Sequence, residues 1–367
     1  MITISLCMIV RDEEETLERV LASVAGIADE INIVDTGSID RTREIACRFT
    51  DRVFDYPWHD HFADARNFSF FQATQDYILW LDADDVIEEE DRQRFIALKQ
   101  SLNPSIDHVI MPYKVGFDEA GKPTVVLRRT RLVRRDRHFL WEGAVHEDLA
   151  VYGTCLESDV CIIHRKQKPN TDRNLQIYRK LQEKGEKFSV RDLFYFANEL
   201  KDHQLDEEAV KEYKRMLDTG QGWKEDNIRA CLNMAECYAR LGDREKRFAA
   251  LAHALMYEKP QPELACALGG FFWDEQQYDS AIFWYTVAIE GSQSEAMAVW
   301  NEAIGTWFPH LQLCLCYSRL ERYEEAFRHN ELALRYHPTH PSLLYNRQYF
   351  WKVHQLGEGD DEFGTEA

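Results

Sequence analysis

The chain has 367 residues, 45% of them hydrophobic and 29% charged, which is more than one ordinary domain needs and points to two. Its 44 basic and 64 acidic side chains leave a net charge of -20. That balance argues against a general nucleic-acid binder, whose phosphate contacts need a basic surface, and against docking on an anionic membrane.

The first half alternates strand and helix. Apolar, β-branched and aromatic runs predict strands over 2–10, 30–34, 52–56 and 77–81. Helical periodicity predicts helices over 14–25, 40–49 and 62–75, and a further helix over 86–99. Such alternation implies a mainly parallel sheet with crossover helices. From 107 to 164 shorter strands follow, at 108–117, 124–134 and 159–164, with a turn over 119–123, so that a mixed sheet finishes an α/β domain. After Pro169 nearly everything reads as helix, and four units repeat small and aromatic residues at matching places. They are Ala197, Ala209 and Tyr213; Ala235, Tyr238, Leu251 and Ala254; Gly269, Phe272, Ala281, Tyr285 and Ala288; and Cys314, Tyr317, Ala326, Ala333 and Pro338. The spacing resembles the tetratricopeptide repeat of about 34 residues, widened around 294–309. The expected division is an α/β domain over 1–168, a helical-repeat domain over 169–356 and an acidic, disordered tail over 357–367.

No stretch approaches the roughly 18 apolar residues of a membrane span, and no basic segment leads into an apolar one, so neither a span nor a signal peptide is expected. Nine dispersed cysteines without zinc-type spacing suit structural thiols and a reducing, cytoplasmic setting.

The strongest chemical signal is Tyr77-Ile78-Leu79-Trp80-Leu81-Asp82-Ala83-Asp84-Asp85, a buried strand ending in three carboxylates. Ligands of open α/β sheets bind outside the carboxyl ends of the strands. Crowded like charges call for a cation, and Asp82 and Asp84, two apart on an extended segment, suit Mg²⁺ or Mn²⁺. Asp85 reads as the cap of the following helix. A second strand ends at Asp35 and turns through Gly37 and Ser38, which places another carboxylate where a nucleotide could lie; turn chemistry alone also explains Gly37, Ser38 and Asp40. Arg66, in Ala65-Arg66-Asn67, is either a diphosphate or base contact or a surface arginine. The run Arg128, Arg129, Arg131, Arg134, Arg135 and Arg137, with Arg129, Arg131 and Arg135 on one side, reads first as a solvated strand balanced against neighbouring acids, or else as a face that meets an anionic donor or acceptor.

Taken in order, Ser5–Glu14, Val34-Asp35-Thr36-Gly37-Ser38, Ala65-Arg66-Asn67 and Asp82-Ala83-Asp84 resemble the family 2 glycosyltransferases of GT-A fold over about residues 2–100. With Trp141-Glu142-Gly143-Ala144-Val145-His146-Glu147 the resemblance narrows to the branch of core-lipopolysaccharide and bacteriocin glycosyltransferases. Arg11-Asp12-Glu13 departs from the Arg-Asn-Glu of many relatives. The resemblance implies a Rossmann-like GT-A domain and a nucleotide-sugar donor, with UDP-glucose the expected one. Cys7, Ile9, Val10 and Arg11 would wall the base, with Glu13 beside them. Asp35 would bind the base, and Arg66 would lie near base or phosphate. Asp82 and Ala83 would face the ribose, and Asp84 would hold the metal with Asp82 and His164. The general base would be Glu147, or Glu142 as second choice, with His146 orienting the acceptor or contacting phosphate. The fusion to helical repeats resembles the sublancin-type peptide S-glycosyltransferases. This implies an inverting hexose transfer to a peptide or protein side chain held by the repeats, a cysteine (or serine) of a bacteriocin precursor first of all, and a homodimer. A lipopolysaccharide core or other cell-surface acceptor, and a non-catalytic scaffold, are the alternatives.

Overall fold

A computed structural model describes residues 1–117, 123–165, 171–291 and 302–357. The expected turn over 119–123 (save Pro123), the division near 168, the widened spacing before 302 and the acidic tail beyond 357 lie outside these residues. Two compact units emerge, one spanning Met1–Lys187 and the other beginning at Phe188.

The first unit contains β1 (Ile4–Val10), α1 (Leu17–Ser23), β2 (Glu30–Asp35), α2 (Thr42–Ala46), β3 (Val53–Asp55), α3 (Phe62–Phe71), β4 (Tyr77–Trp80), β5 (Asp85–Val86) and α4 (Glu89–Ser101). It continues with β6 (His108–Phe117), β7 (Pro123–Arg134), β8 (Trp141–Glu142), β9 (Asp148–Leu149), β10 (Cys155–Glu157), β11 (Ile162–His164) and α5 (Arg173–Glu183). Nine strands form one sheet in the order β3-β2-β1-β4-β7-β6-β11-β5, with β10 also on β6, while β8 and β9 form a separate ribbon. β3, β2, β1 and β4 run parallel, and β7 is antiparallel to both β4 and β6. This is the mixed α/β sheet expected of a GT-A domain.

The sequence dictates most of this locally. Ile4–Val10 is apolar on nearly every residue because a central parallel strand is covered on both faces, and six of its seven residues are buried. Helices are shorter than their periodicity predicts where backbone donors are drawn elsewhere. The helix predicted from 14 starts at Leu17 because the Glu13 and Glu14 N–H groups donate to Thr42 Oγ1 (2.6 Å) and Asp40 Oδ2 (3.1 Å). The helix predicted to 75 ends at Phe71, and the Thr74 N–H donates to Glu30 Oε1 at 3.0 Å. The helix predicted from 86 starts at Glu89 with Glu88 at its N-cap, so Asp85 is not a cap.

The second unit is helical: α6 (Val190–Asp202), α7 (Asp206–Asp218), α8 (Lys224–Arg240), α9 (Arg244–Ala254), α10 (Pro262–Asp274), α11 (Tyr278–Glu290), α12 (Glu302–Gly305), α13 (Trp307–Arg319), α14 (Tyr323–Tyr336) and α15 (Pro341–His354). The pairs α6–α7, α8–α9, α10–α11 and α13–α14 are the four repeats read from the sequence, packed as tetratricopeptide-like hairpins. Their small residues sit in the seams: a Cβ on Gly269 would lie 2.8 Å from the Tyr285 ring, and Ala281, Ala288, Ala326 and Ala333 are buried. Ion pairs join successive repeats at the repeat period, including Arg240–Asp206, Lys224–Glu258 and Arg229–Glu263.

One polar pair inside this unit is pH-sensitive. His310 on α13 and His329 on α14 meet Nδ1 to Nδ1 at 2.9 Å, with Tyr317 stacked on His329. Burial depresses both imidazoles to about 4, helped at His329 by the charges of His310 and Arg328 against Glu325. The folded form thus binds fewer protons than the unfolded chain, whose histidines titrate near 6.5. This contribution to stability is complete above pH 6.5 and is lost as pH falls toward 4. Thermal melts followed by circular dichroism should show Tm falling over this window in the wild type. The drop should be clearly smaller in a His310→Asn/His329→Asn double variant, even though that variant melts lower at pH 7.5.

Candidate active site at the carboxyl ends of β1, β2 and β4

The chain leaves β4 into Leu81 and then meets three carboxylates in four residues. Each finds its own cationic partner from a different element. Asp82 Oδ1 accepts a hydrogen bond from Arg66 Nη2 of α3 at 2.7 Å. Asp84 Oδ1 lies 3.4 Å from Nδ1 of His164, at the end of β11. Asp85 Oδ2 lies 3.0 Å from Nη1 of Arg131 on β7, and both side chains are fully buried. The like-charge crowding is thus relieved by the protein itself, so crowding alone does not demand an ion.

Arg66 joins two distant motifs. Its Nε donates to Glu147 Oε1 at 2.5 Å while its Nη2 holds Asp82. The guanidinium lies 5.0 Å from the Trp80 ring centroid and 4.8 Å from that of Trp141. Only 10% of its side chain is exposed, so the reading of a surface arginine does not hold. Burial opposes its charge, but Asp82 and then Glu147 outweigh it and raise its basicity. Burial likewise disfavours the Asp82 carboxylate, yet Arg66 first and Arg131 second hold it at about 2.

The Trp141–Glu147 segment is locked against the start of α3. Asn67 Nδ2 donates to the Trp141 carbonyl at 3.0 Å, and the Trp141 N–H donates to Asn67 Oδ1 at 2.8 Å. The Phe62 N–H donates to the Ala144 carbonyl at 2.8 Å, and the Ala63 N–H to that of Gly143 at 3.4 Å. These bonds satisfy donors that a helix N-terminus leaves over. Gly143 takes φ +99° and His146 φ +52°, so the segment doubles back and delivers Glu147 to Arg66. Glu142 is exposed on β8 and is not part of this ion-pair network.

Asp35 ends β2, buried, and accepts from the Ser38 hydroxyl at 2.5 Å and the Ser38 N–H at 3.2 Å. Ser38 Oγ in turn accepts the Asp12 N–H at 2.9 Å, and Asp12 Oδ1 accepts the Ile39 N–H at 2.8 Å. Asp12 has φ +54°, a conformation that Asp and Asn tolerate. Its carboxylate therefore ties the loop after β1 to the loop after β2. Ile9 and Val10 end β1, and Arg11 and Glu13 follow at the same rim, whereas Cys7 lies inside the sheet between Asn32 and Trp80. Its thiol donates to the Ser69 carbonyl at 3.2 Å, and burial pushes its pKa up. Ala83 is buried within the carboxylate turn.

Asp84, Asp85 and His164 place one ligand atom each within 4.8 Å of one another. The His164 Nδ1 is buried with no hydrogen-bond partner among the described residues, and its contacts to Asp84 and Asp85 at 3.4 and 3.5 Å are ion-pair distances. Asp84 first and Asp85 second lift this imidazole to about 9. Asp84 and His164 supply a carboxylate and an imidazole, donors that suit Mg²⁺ or Mn²⁺, while Asp85, though near enough, is taken up by Arg131. Asp82 is outside the cluster because Arg66 holds it. Sequence reasoning missed two members of the site. Arg131 was hidden in an arginine run that reads as solvated, and Asp85 was read as a helix cap.

Residues 5–152 match the model of the glycosyl transferase family 2. The SPbeta prophage-derived glycosyltransferase SunS of Bacillus subtilis is 28% identical over 229 residues, which cover 59% of this chain and 53% of that protein. A TPR repeat-containing protein of Synechococcus elongatus is 51% identical over 85 residues, 23% of this chain and 21% of that one. The chain thus spans about half the length of SunS and a fifth of the cyanobacterial protein. Among solved structures, glucosyl-3-phosphoglycerate synthase from Mycobacterium tuberculosis in complex with Mn²⁺ and UDP-glucose covers 52% of this chain and is covered to 81%, at 16% identity and a TM-score of 0.36. The TPR protein YrrB covers 49% of the chain and is covered to 84%, at 17% identity and the same score. At such scores neither likeness adds to the argument. No helix among the described residues is long and apolar enough to cross a membrane. The sheet, the motif order and the family match converge on one conclusion: the N-terminal part of this chain is a family 2 glycosyltransferase domain, and tetratricopeptide-like helices follow it.

Proposed function

We propose that the chain is a metal-dependent, inverting glycosyltransferase that moves a hexose from a nucleotide sugar, UDP-glucose by preference, to a peptide or protein side chain. The observation that carries this reading is the convergence of Asp82, Arg66 and Glu147 beside Asp84 and His164 at the carboxyl end of β4. Support for a peptide acceptor comes from the helical-repeat unit, since stacked repeats suit an extended chain, and from the resemblance to peptide S-glycosyltransferases. A cysteine acceptor needs only a weak base because its thiol titrates near 8.5.

Asp84 and His164 would hold a divalent ion, which supplies positive charge against the departing diphosphate. His164 would hold it as a neutral imidazole. The protein's own groups do the remaining work. The rim of Ile9–Glu13 and Asp35 receives the nucleoside. Arg66 keeps Asp82 ionised and turned toward the donor. Glu147 takes the acceptor proton as the acceptor attacks the anomeric carbon and the bond to the diphosphate oxygen breaks. Glu147 is free for that proton only when Arg66 releases it, and an anionic donor competing for Arg66 would do so.

Asp84→Ala and Asp82→Ala should fold as the wild type by circular dichroism, yet release nucleoside diphosphate from UDP-glucose about 100-fold more slowly or worse, as the loss of a charge-stabilising group predicts. Full donor turnover in both variants would remove the catalytic reading. The base is assigned by a pair of variants assayed with an acceptor peptide over pH 5–9. Glu147→Gln should lower kcat about 100-fold or more and remove the acidic limb of the profile, while Glu142→Gln keeps both. The reverse pattern would move the base to Glu142.

A further inference from the structure

β7 contains a bulge. Its register against β6 passes from Ile110 opposite Thr130 to Val109 opposite Leu132, leaving Arg131 without an opposite residue. The Thr130 carbonyl is satisfied by Trp80 Nε1 at 2.8 Å. A bulge re-aims the extra side chain, and here it carries a guanidinium inward. Arg131 is completely buried, 3.9 Å from the Trp80 ring centroid and 4.3 Å from that of Tyr113. One nitrogen reaches Asp85 and the Trp80 carbonyl, while Nε and Nη2 have no hydrogen-bond partner among the described residues. Burying an ion pair with orphaned donors is a poor way to gain stability, because desolvation opposes the attraction.

What the pair does gain is position. Asp85 Oδ2 accepts the Asp82 N–H at 3.0 Å, and the Asp85 N–H donates to the Asp82 carbonyl at 3.1 Å, which closes the turn in both directions. Asp85 Oδ1 accepts the Tyr113 hydroxyl at 2.8 Å and lies 3.5 Å from His164 Nδ1. Asp85 is also the register partner of His164 on β11, and the Arg165 N–H donates to the Asp84 carbonyl at 2.9 Å. One carboxylate thus touches or neighbours Asp82, Asp84 and His164 and is held by one arginine.

We propose that Arg131 is a positioning residue. By neutralising and holding Asp85, it fixes the Asp82–Asp84 turn and the His164 imidazole in the geometry that receives the donor, and it keeps Asp85 from swinging out as a competing cation ligand. The inference rests on the glycosyltransferase reading above.

Four variants test it. Tyr113→Phe removes one hydrogen bond to Asp85 and keeps the ring beside Arg131. Arg131→Lys keeps the charge and loses the planar fork. Arg131→Met is paired with Arg131→Met/Asp85→Asn, which removes both charges. Mn²⁺ binding in the presence of UDP, read from the electron paramagnetic resonance of free Mn²⁺, is measured with kcat, donor KM, acceptor KM and Tm. Tyr113→Phe should weaken Mn²⁺ binding about tenfold, as a lost hydrogen bond to a charged group predicts, and lower kcat with acceptor KM unchanged. Arg131→Lys should retain more activity than Arg131→Met, and the double variant should recover part of the loss in Mn²⁺ affinity. Should Tyr113→Phe and Arg131→Lys lower Tm while Mn²⁺ affinity and kcat stay at wild-type values, the pair is merely structural and the inference is overturned. A wild type that neither binds Mn²⁺ with UDP nor turns over a donor overturns the functional reading and this inference with it. A competent wild type with unaffected variants overturns this inference alone.

Discussion

Three carboxylates within four residues cannot share the end of one strand without compensation. That constraint organises the whole first unit. Asp82, Asp84 and Asp85 draw Arg66 from α3, His164 from β11 and Arg131 from β7 to one point. Each pairing pins an element distant in sequence. The sheet order puts β4 between β1 and β7 and lets β11 return beside β5, so all three cations can arrive. The partners differ in exposure: the Asp82 side chain is about one-third exposed, Asp84 about one-quarter, and Asp85 not at all. Exposure thus falls along the turn from Asp82 to Asp85.

The same economy links the two motifs around Arg66. The Trp141–Glu147 segment has little regular structure to hold it, only the short β8–β9 ribbon. Its place is set by Asn67, by the first N–H groups of α3 and by the aromatic pair Trp80 and Trp141, whose centroids are 4.7 Å apart at 87°. Arg66 lies within 5.0 Å of both rings. In the proposed reaction its two carboxylate partners would have different roles, Asp82 toward the donor and Glu147 toward the acceptor. On that reading a single buried guanidinium would link occupancy of the donor site to the state of the base.

Much of this was legible in the sequence, for identifiable reasons. Ile4–Val10 and Tyr77–Trp80 are apolar on both faces, which only buried strands tolerate, and each ends in polar residues at the rim. The repeats were legible because Gly269, Ala281 and Ala333 mark where helices must close. What failed were inferences that depend on register. Alternation grouped Arg129, Arg131 and Arg135, but the bulge at Arg131 breaks the alternation, and nothing local announces it. Asp85 looked like a cap because a helix follows. Yet Glu88 occupies that place, and the acidic first turn of α4 comes from Glu89, Glu90 and Asp91. The short strands β5, β8, β9 and β10 are two or three residues each, below what periodicity can reveal. Asp12, a departure from the relatives' asparagine, proved to be a loop fastener through its acceptor oxygen, a role either residue can fill.

The central claim is that the charges at the end of β4 are divided: Asp84 and His164 for a cation, Asp82 for Arg66, and Asp85 for Arg131. A crystal structure of the full chain soaked with Mn²⁺ and UDP tests it most directly. The account predicts an anomalous manganese peak bound by Asp84 Oδ and His164 together with diphosphate oxygens, with the Asp85–Arg131 pair unchanged. Manganese ligated by Asp85 with Arg131 displaced, or a nucleotide bound away from this rim, would contradict it.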